Sequence, residues 1–259
     1  MKKYFAYFLL LFLLTFTSCT QKPDYGNPVV KPVAILKDMI SFLTYQERNV
    51  RLSDDFTALN TDFEIITKES FLKLLSSGEY LPVRLISKDS ISYYRLYQLD
   101  GSANADIRLT LKSWGIRELA LLKLEGTSLP DFNFIDLQGN VFTKETTKGK
   151  ILVLKCWYIG CQACVKEMPD LNDMVNQYKD HKDILFVSLA FDSKDELTAF
   201  LREKPFLYTV VPDQQDFMTN VLHLHTYPTH FIINKQGKII KVVNDSKALV
   251  VALKKETLK

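Results

Sequence analysis

The chain has 259 residues, of which 47% are hydrophobic and 24% charged, a globular composition that excludes disorder and collagen-like sequence. Four cysteines are too few for a disulfide scaffold. The net charge of +3 gives no indication of a protein that binds nucleic acid or an anionic membrane.

The N-terminal segment has the layout of an export signal. Lys2 and Lys3 precede an uncharged, mostly apolar run over 4–16, which is shorter than the roughly 20 residues of a membrane-spanning helix. Small residues and Cys19 follow, an order that resembles the bacterial lipoprotein signal. We therefore predict a signal peptide over 1–18, lipidation of Cys19 and a location at the periplasmic face of a bacterial membrane. A plain cleaved signal and an uncleaved anchor are the alternatives.

A polar, proline-punctuated tether is predicted for 19–31 and a small α+β domain for 32–125. Apolar residues at helical spacing begin at Leu36, and Thr67 is a candidate cap for a helix that stops at Gly78. The domain contains no cysteine, no histidine and no glycine-rich loop, so no catalytic site is predicted in it. The strand-like segments are 81–87, 91–99 and 106–112, and 119–124 fits a strand or a short helix.

From 127 to 259 the sequence alternates between strands and helices, which predicts an α/β domain with a mixed sheet between helices. The continuous apolar run at 151–157 indicates a strand buried on both faces. Hairpins are predicted around Gly139 and across the turn at 234–237. The other predicted elements are strands at 184–191 and 208–211 and helical segments after 161 and at 194–204, 217–222 and 246–254.

Cys161 and Cys164 carry the predicted chemistry. They follow the buried strand at a spacing of three, which on a helix places both sulfurs on one face, close enough for a disulfide. At the helix start, unpaired N–H groups and the helix dipole favour a thiolate at Cys161, the nucleophile of disulfide exchange. Cys164, one turn later, is expected to resolve the mixed disulfide.

Four motifs follow one another in the second domain: Leu129-Pro130-Asp131-Phe132 with Asp136-Leu137-Gln138-Gly139, then Trp157 four residues before Cys161, then Glu167-Met168-Pro169, then Tyr227-Pro228-Thr229. In this ordered set the domain resembles the TlpA/ResA-type thiol-disulfide oxidoreductases, which are exported proteins of the thioredoxin fold. The resemblance implies a thioredoxin-like domain that reduces protein disulfides, uses no bound cofactor and receives reducing equivalents from a membrane thiol carrier.

The resemblance also implies roles for individual residues. Pro228 matches the family's cis-proline, and Tyr227 beside it and Trp157 complete the predicted substrate-binding set. Glu167 matches a glutamate implicated in proton transfer, and a raised pKa would suit it as general base for Cys164. The alternative for Glu167 is a solvated position on the helix surface.

Two residues of this domain, Gly160 and Lys155, depart from the family pattern. Gly160 stands where a tryptophan often precedes the first cysteine. Lys155 occupies a strand position where relatives carry an acid or asparagine, and it either stabilises a thiolate or extends to solvent. Cys156 is interpreted as a buried core residue rather than a third redox thiol.

The sequence also allows other functions. Cys161 and Cys164 with two of His223, His225 and His230 would make a metal site, but we predict none. A peroxiredoxin-type thiol peroxidase is the nearest enzymatic alternative. A partner-binding lipoprotein with a structural cysteine pair is the non-enzymatic one.

Overall fold

The computed structural model describes residues 25–89 and 91–258. The predicted signal peptide, Cys19 and the first part of the predicted tether lie outside these residues. Within the described part of the chain, no helix is both long and apolar enough to cross a membrane.

The first unit is a four-stranded sheet packed against helices. Its strand order is β2-β1-β4-β3, with β1 parallel to β4 and the other pairs antiparallel. Thr67 caps α3 as predicted, because its side chain accepts a hydrogen bond from the Ser70 amide. The elements are α1 (Pro32–Ile35), α2 (Met39–Asn49), β1 (Thr57–Leu59), β2 (Ile65–Ile66), α3 (Lys68–Leu75), β3 (Tyr80–Arg84), β4 (Tyr93–Gln98) and α4 (Ala105–Leu124).

The prediction of a strand at 106–112 is wrong, because this segment begins the 20-residue helix α4. Over so short a window, apolar residues at every second position fit a strand as well as a helix. Burial resolves the ambiguity, since Ile107 and Leu111 are buried while Leu109 is 62% exposed. Asn104 is the overlooked helix signal, because its side chain accepts hydrogen bonds from two amides of the first turn.

Gly115 allows α4 to approach the end of α3 closely. A Cβ atom at this position would lie 2.5 Å from the Ser76 nitrogen and 2.7 Å from the Leu75 carbonyl carbon. These neighbours are backbone atoms, which cannot move aside as a flexible side chain can.

Gly115→Ala is therefore expected to lower the free energy of unfolding by about 1–3 kcal/mol, the usual cost of overpacking. A helix-interior glycine exchanged for alanine without such a clash gains about 1 kcal/mol. Urea unfolding followed by circular dichroism measures the difference. The control is Gly101→Ala, because no described atom lies within 4 Å of a Cβ built there. A Gly115→Ala variant as stable as the wild type would contradict the expectation.

The second unit is built around a five-stranded mixed sheet of order β11-β10-β7-β8-β9. The three strands β7, β8 and β9 are parallel, and β10 and β11 are antiparallel additions. With helices packed on the sheet, the predicted α/β thioredoxin-like fold is confirmed. The elements are β5 (Phe134–Ile135), β6 (Val141–Phe142), α5 (Lys144–Thr147), β7 (Ile151–Trp157), α6 (Gln162–Lys166), α7 (Met168–Gln177), β8 (Ile184–Ala190), α8 (Lys194–Glu203), β9 (Thr209–Val211), a π-helical turn (Phe217–Val221), β10 (Thr229–Ile233), β11 (Ile239–Val243) and α9 (Ser246–Thr257).

The central strand β7 is buried along its whole length, so its alternate side chains enter two different cores. Ile151 and Val153 pack with α7 and α9, whereas Leu152 and Leu154 face the opposite core. The side chain of Lys155 lies on the same face of β7 as that of Val153, and it reaches Cys164 and Glu167.

The two units are in contact. Leu121, near the end of α4, packs into the core of the second unit. The Val242 amide donates to the Glu125 carboxylate, and Asp55 pairs with Lys241 and Lys255. These contacts hold the first unit beside the second.

Candidate active site

The cysteine pair begins a helix at the carboxyl end of β7. Cys161 is the N-cap of α6, and its Sγ accepts a hydrogen bond from the Cys164 amide at 3.2 Å. The two residues form a disulfide with their Cα atoms 5.2 Å apart. Cys161 is 7% exposed and Cys164 fully buried, so only the first residue of the pair has any surface open to solvent. This asymmetry fits an attacking and a resolving cysteine.

Glu167 lies at the break between α6 and α7. It ends the first helix and caps the second, which has proline at its second position, Pro169. The break turns the Glu167 side chain inward, where it is 8% exposed. The alternative of a solvated position on the helix is therefore wrong.

The Glu167 carboxylate meets two basic side chains from the sheet. Lys155 Nζ donates to Glu167 Oε1 at 2.5 Å and to the carbonyl oxygen of Cys164 at 3.0 Å. His230 Nε2 lies 2.9 Å from the same Oε1, and the Ser246 amide donates to Oε2 at 3.0 Å. Lys155 and His230 are both fully buried. We call Lys155, Glu167 and His230 the buried triad.

Burial and neighbouring charges shift the pKa values of Glu167 and Lys155. Burial acts to raise the pKa of Glu167, but His230 and Lys155 outweigh it and hold that pKa below its ordinary value. The expectation of a raised pKa at Glu167 is therefore wrong. Burial lowers the pKa of Lys155 against the opposing effect of Glu167.

Lys155 does not extend to solvent, and its ammonium is paired with Glu167 rather than free for a thiolate. The opposite charges of Lys155 and Glu167 balance each other. The first alternative for Lys155, stabilisation of a thiolate by an unpaired positive charge, therefore has little support in this geometry.

Pro228 and Tyr227 lie beside the cysteine helix. The Tyr227–Pro228 peptide bond is cis, in agreement with the resemblance. The Tyr227 ring is part-exposed and meets Tyr158 and Phe191 edge to face, with centroids 5.8 Å and 5.0 Å away. These three rings form an aromatic rim next to Cys161.

Trp157 does not belong to a substrate-contacting surface. It is fully buried and packs against Phe200 and Phe206. Among the described residues, its indole nitrogen has no hydrogen-bond partner. Its inclusion in the substrate-binding set is therefore wrong, and the residue serves the core below the cysteines.

A groove of about 790 Å³ separates the two units next to the cysteine helix. One wall comes from α2, the loop after it and α4, and the other from α6, α7 and the start of α9. Side chains that represent both walls are Leu43, Gln46, Trp114, Ala163, Glu167 and Pro228. The first unit therefore contributes directly to the surroundings of Pro228.

Cys156 is fully buried in β7, on the face opposite Lys155, and burial raises the pKa of its thiol. A thiol of this kind reacts slowly because the thiolate is the reactive form. In the reduced native protein, iodoacetamide is expected to modify Cys161 first and to leave Cys156 unmodified until the protein unfolds. Peptide mass spectrometry after timed labelling tests this, with labelling in urea as control. Rapid native modification of Cys156 would contradict it.

The metal alternative has no support in the described part of the chain, where no cluster of three or more histidine, cysteine or acidic residues is placed to hold an ion. His223 and His225 are exposed, whereas His230 is buried against Glu167. From the sequence, His230 is a candidate only for the metal alternative. Its place in β10, two residues after Pro228, was the signal for an inward position facing Lys155.

Comparisons with known proteins agree with this site. Residues 126–242 match the family model described as the AhpC/TSA family. The chain is similar to thiol-disulfide oxidoreductase ResA of Geobacillus thermodenitrificans, with 31% identity over 119 residues, covering 46% of this chain and 68% of the relative. It is 32% identical over 123 residues to ResA of Bacillus subtilis, and the match covers 46% of this chain and 66% of that relative.

Among solved structures, the thioredoxin domain of a thiol-disulfide oxidoreductase from Bacteroides vulgatus is similar to this chain. The TM-score is 0.46 and the sequence identity 26%, over 51% of this chain and 96% of that domain.

Proposed function

Because the chain belongs to the ResA-like thiol-disulfide oxidoreductases, we propose that it is a reductase of protein disulfides outside the cytoplasm. The observation that supports this best is the asymmetric cysteine pair, with Cys161 near the surface and Cys164 buried behind it. Thiol-disulfide exchange needs one accessible nucleophile and one protected sulfur to release the product.

The proposed reaction has two exchanges. The Cys161 thiolate attacks a substrate disulfide, forms a mixed disulfide and expels one substrate thiolate. The Cys164 thiolate then attacks Cys161 Sγ, which breaks the mixed disulfide and releases the second substrate thiolate. The enzyme is left with the Cys161–Cys164 disulfide, which a dithiol carrier at the membrane reduces again.

The charge balance below the cysteines favours the reducing direction. A dithiol protein becomes a strong oxidant when its reduced form is stabilised. Here the positive charge of Lys155 is neutralised by Glu167 at 2.5 Å, so no unpaired ammonium is available to stabilise a thiolate.

The substrate side of the site is proposed to include Tyr227 and Pro228. The aromatic rim offers part-exposed apolar surface, and the groove of about 790 Å³ between the units borders Pro228. A protein segment that carries a disulfide is therefore the proposed substrate class.

Lipidation of Cys19 is proposed to anchor the protein at the periplasmic face of the membrane. The basic start, apolar run and small residues before Cys19 support this. Metabolic labelling with a radioactive fatty acid tests it, with Cys19→Ala as the variant that should lose both the label and membrane association.

The equilibrium reduction potential of the cysteine pair tests the proposed direction. A value near that of thioredoxin, about −270 mV, supports a reductase, whereas about −120 mV indicates an oxidant. Turnover of hydrogen peroxide at Cys161 would favour the peroxidase alternative. Full complementation of a deletion strain by Cys161→Ala would favour the partner-binding alternative.

A further inference from the structure

The groove between the two units borders the cysteine helix of the second unit. Ala163, which stands between the two cysteines in α6, is exposed and lines the wall formed by the second unit, as does Pro228. The opposite wall belongs to the first unit and includes Trp114 and Glu118, which lie one turn apart on α4. A protein segment that approaches Cys161 along this groove therefore contacts both units.

Glu118 is a buried acid on the wall of the first unit. Its side chain lines the groove although the residue is only 7% exposed. Trp114 Nε1 donates a hydrogen bond to Glu118 Oε1 at 3.2 Å. Among the described residues, no basic side chain forms an ion pair with Glu118, and the charges of Arg117 and Lys68 act on it only from a greater distance. The Lys68 ammonium instead donates to two backbone carbonyl oxygens.

The carboxylate of Glu118 therefore lacks a counter-charge. Burial raises the pKa of this carboxyl against the smaller opposing effects of its neighbours. Within the described part of the chain, the indole of Trp114 supplies its one hydrogen bond. A buried charge is costly unless a partner of opposite charge and further hydrogen bonds stabilise it. A cationic group that enters the groove supplies both to Glu118.

The other charged side chains of the groove do not neutralise Glu118. Glu167, the second buried acid that lines the groove, is already paired with Lys155. The basic residues that line the groove are all exposed, namely Arg51, Lys166 and Lys247. Water and salt screen exposed charges, so their effect on a buried carboxylate is small. The unmatched buried charge in the groove is therefore negative, and the complementary ligand group is basic.

We propose that Trp114 and Glu118 form a specificity site of the first unit, which binds a lysine or arginine side chain of the substrate segment whose disulfide Cys161 attacks. This inference rests on the proposed function. The occupant of the groove is a substrate segment because the groove is continuous with Ala163 and Pro228, next to the cysteine pair. The first unit thus narrows the substrate class to disulfide-bearing segments with a basic residue near the cysteine.

The chemistry of the pair determines which substrate groups it binds. An ammonium or guanidinium group donates to the Glu118 carboxylate in a charge-assisted hydrogen bond, and the indole of Trp114 offers an aromatic surface to the cation. An acidic substrate side chain is repelled by Glu118, and an apolar one leaves the carboxylate without a counter-charge. The site therefore selects substrates by charge, whereas Cys161 and Cys164 carry out the exchange.

The test compares peptides that differ in a single side chain. Each peptide carries one cysteine, blocked as a disulfide with mercaptoethanol, and lysine, norleucine or glutamate two, four or six residues away, because an extended chain spans about 3.3 Å per residue. Acid quench and chromatography give the second-order rate constant with which each peptide oxidises the reduced protein. For at least one spacing, the lysine peptide is expected to react about tenfold faster than the norleucine peptide, the usual effect of one charge-assisted hydrogen bond. The glutamate peptide is expected to be the slowest of the three.

Glu118→Gln keeps an acceptor for the Trp114 indole but removes the charge, so the preference for lysine is expected to disappear. The matched control is Glu69→Gln, an exposed acid of α3 outside the groove, which should keep the preference. A folded Glu118→Gln that still prefers lysine would overturn the inference.

The wild type alone also decides, so the test holds even if Glu118→Gln does not fold. Equal wild-type rate constants for the lysine and norleucine peptides at every spacing would overturn the inference and leave the proposed function intact. Equal rate constants together with a dimer in sedimentation velocity would assign the groove to a second copy of this chain. A wild-type protein that reduces none of the peptides would instead overturn the proposed function.

Discussion

Cys161→Ser is expected to lower disulfide reductase activity by about a thousandfold or more, because a hydroxyl cannot replace the thiolate as nucleophile. Insulin reduction with a chemical dithiol as electron source measures this loss. Cys164→Ser is expected to behave differently. Its Cys161 still attacks, but the mixed disulfide is not resolved and accumulates as a covalent complex visible on a non-reducing gel.

Cys156→Ala is the matched control for both cysteine variants. Cys156 is a free, buried thiol in β7. Its replacement removes one sulfur atom and leaves the Cys161–Cys164 disulfide intact. Its activity per folded molecule should therefore equal that of the wild type. Equal activity of Cys161→Ser and wild type, or accumulation of the complex with Cys161→Ser rather than Cys164→Ser, would refute the assigned order of attack.

Glu167→Leu is expected to lower the free energy of unfolding by about 3–5 kcal/mol, the usual cost of removing one partner of a buried ion pair. The change leaves the Lys155 ammonium without a counter-charge in a fully buried position. The double variant Lys155→Met, Glu167→Leu removes both charges and should therefore lose less stability than Glu167→Leu alone. Chemical unfolding at pH 7 provides the comparison. The pairing would be contradicted if the double variant lost as much free energy of unfolding as Lys155→Met and Glu167→Leu lose together.

The same pair gives a pH dependence with a defined sign. The folded-state pKa of Glu167 is lower than its ordinary 4.5, so its ionised form stabilises the fold. This contribution is complete above about pH 4.5 and is lost as the pH falls through the lower folded-state value. The difference in free energy of unfolding between wild type and Glu167→Leu should therefore become smaller as the pH falls below about 4.5. A difference that is constant from pH 7 to pH 3 would exclude this electrostatic origin.

The second unit was largely predictable because its signals are local. The apolar run at 151–157 and the spacing of Cys161 and Cys164 each fix one element without knowledge of the rest of the chain. Pro228 was identified through its motif. The structure confirms the strand and the helix that begins at the cysteine pair.

What the sequence did not reveal depends on distant contacts. The partner of Lys155 is set by strand register and by the direction of the helix break, neither of which a single-residue pattern contains. The burial of Trp157 likewise follows from Phe200 and Phe206, which come more than forty residues later. In α4, alternation of apolar residues at its start concealed a helical period that is clear only over all 20 residues.

Helix α4 has a consequence for the mechanics of the whole chain. Ile107 and Leu111 belong to the core of the first unit, and Leu121 belongs to the core of the second. The single helix α4 is therefore packed into both cores. Rotation of one unit against the other would have to extract Leu121 or unwind the helix. The two units are therefore expected to unfold in a single cooperative transition, and we expect the groove beside Pro228 to keep its width when the disulfide is reduced.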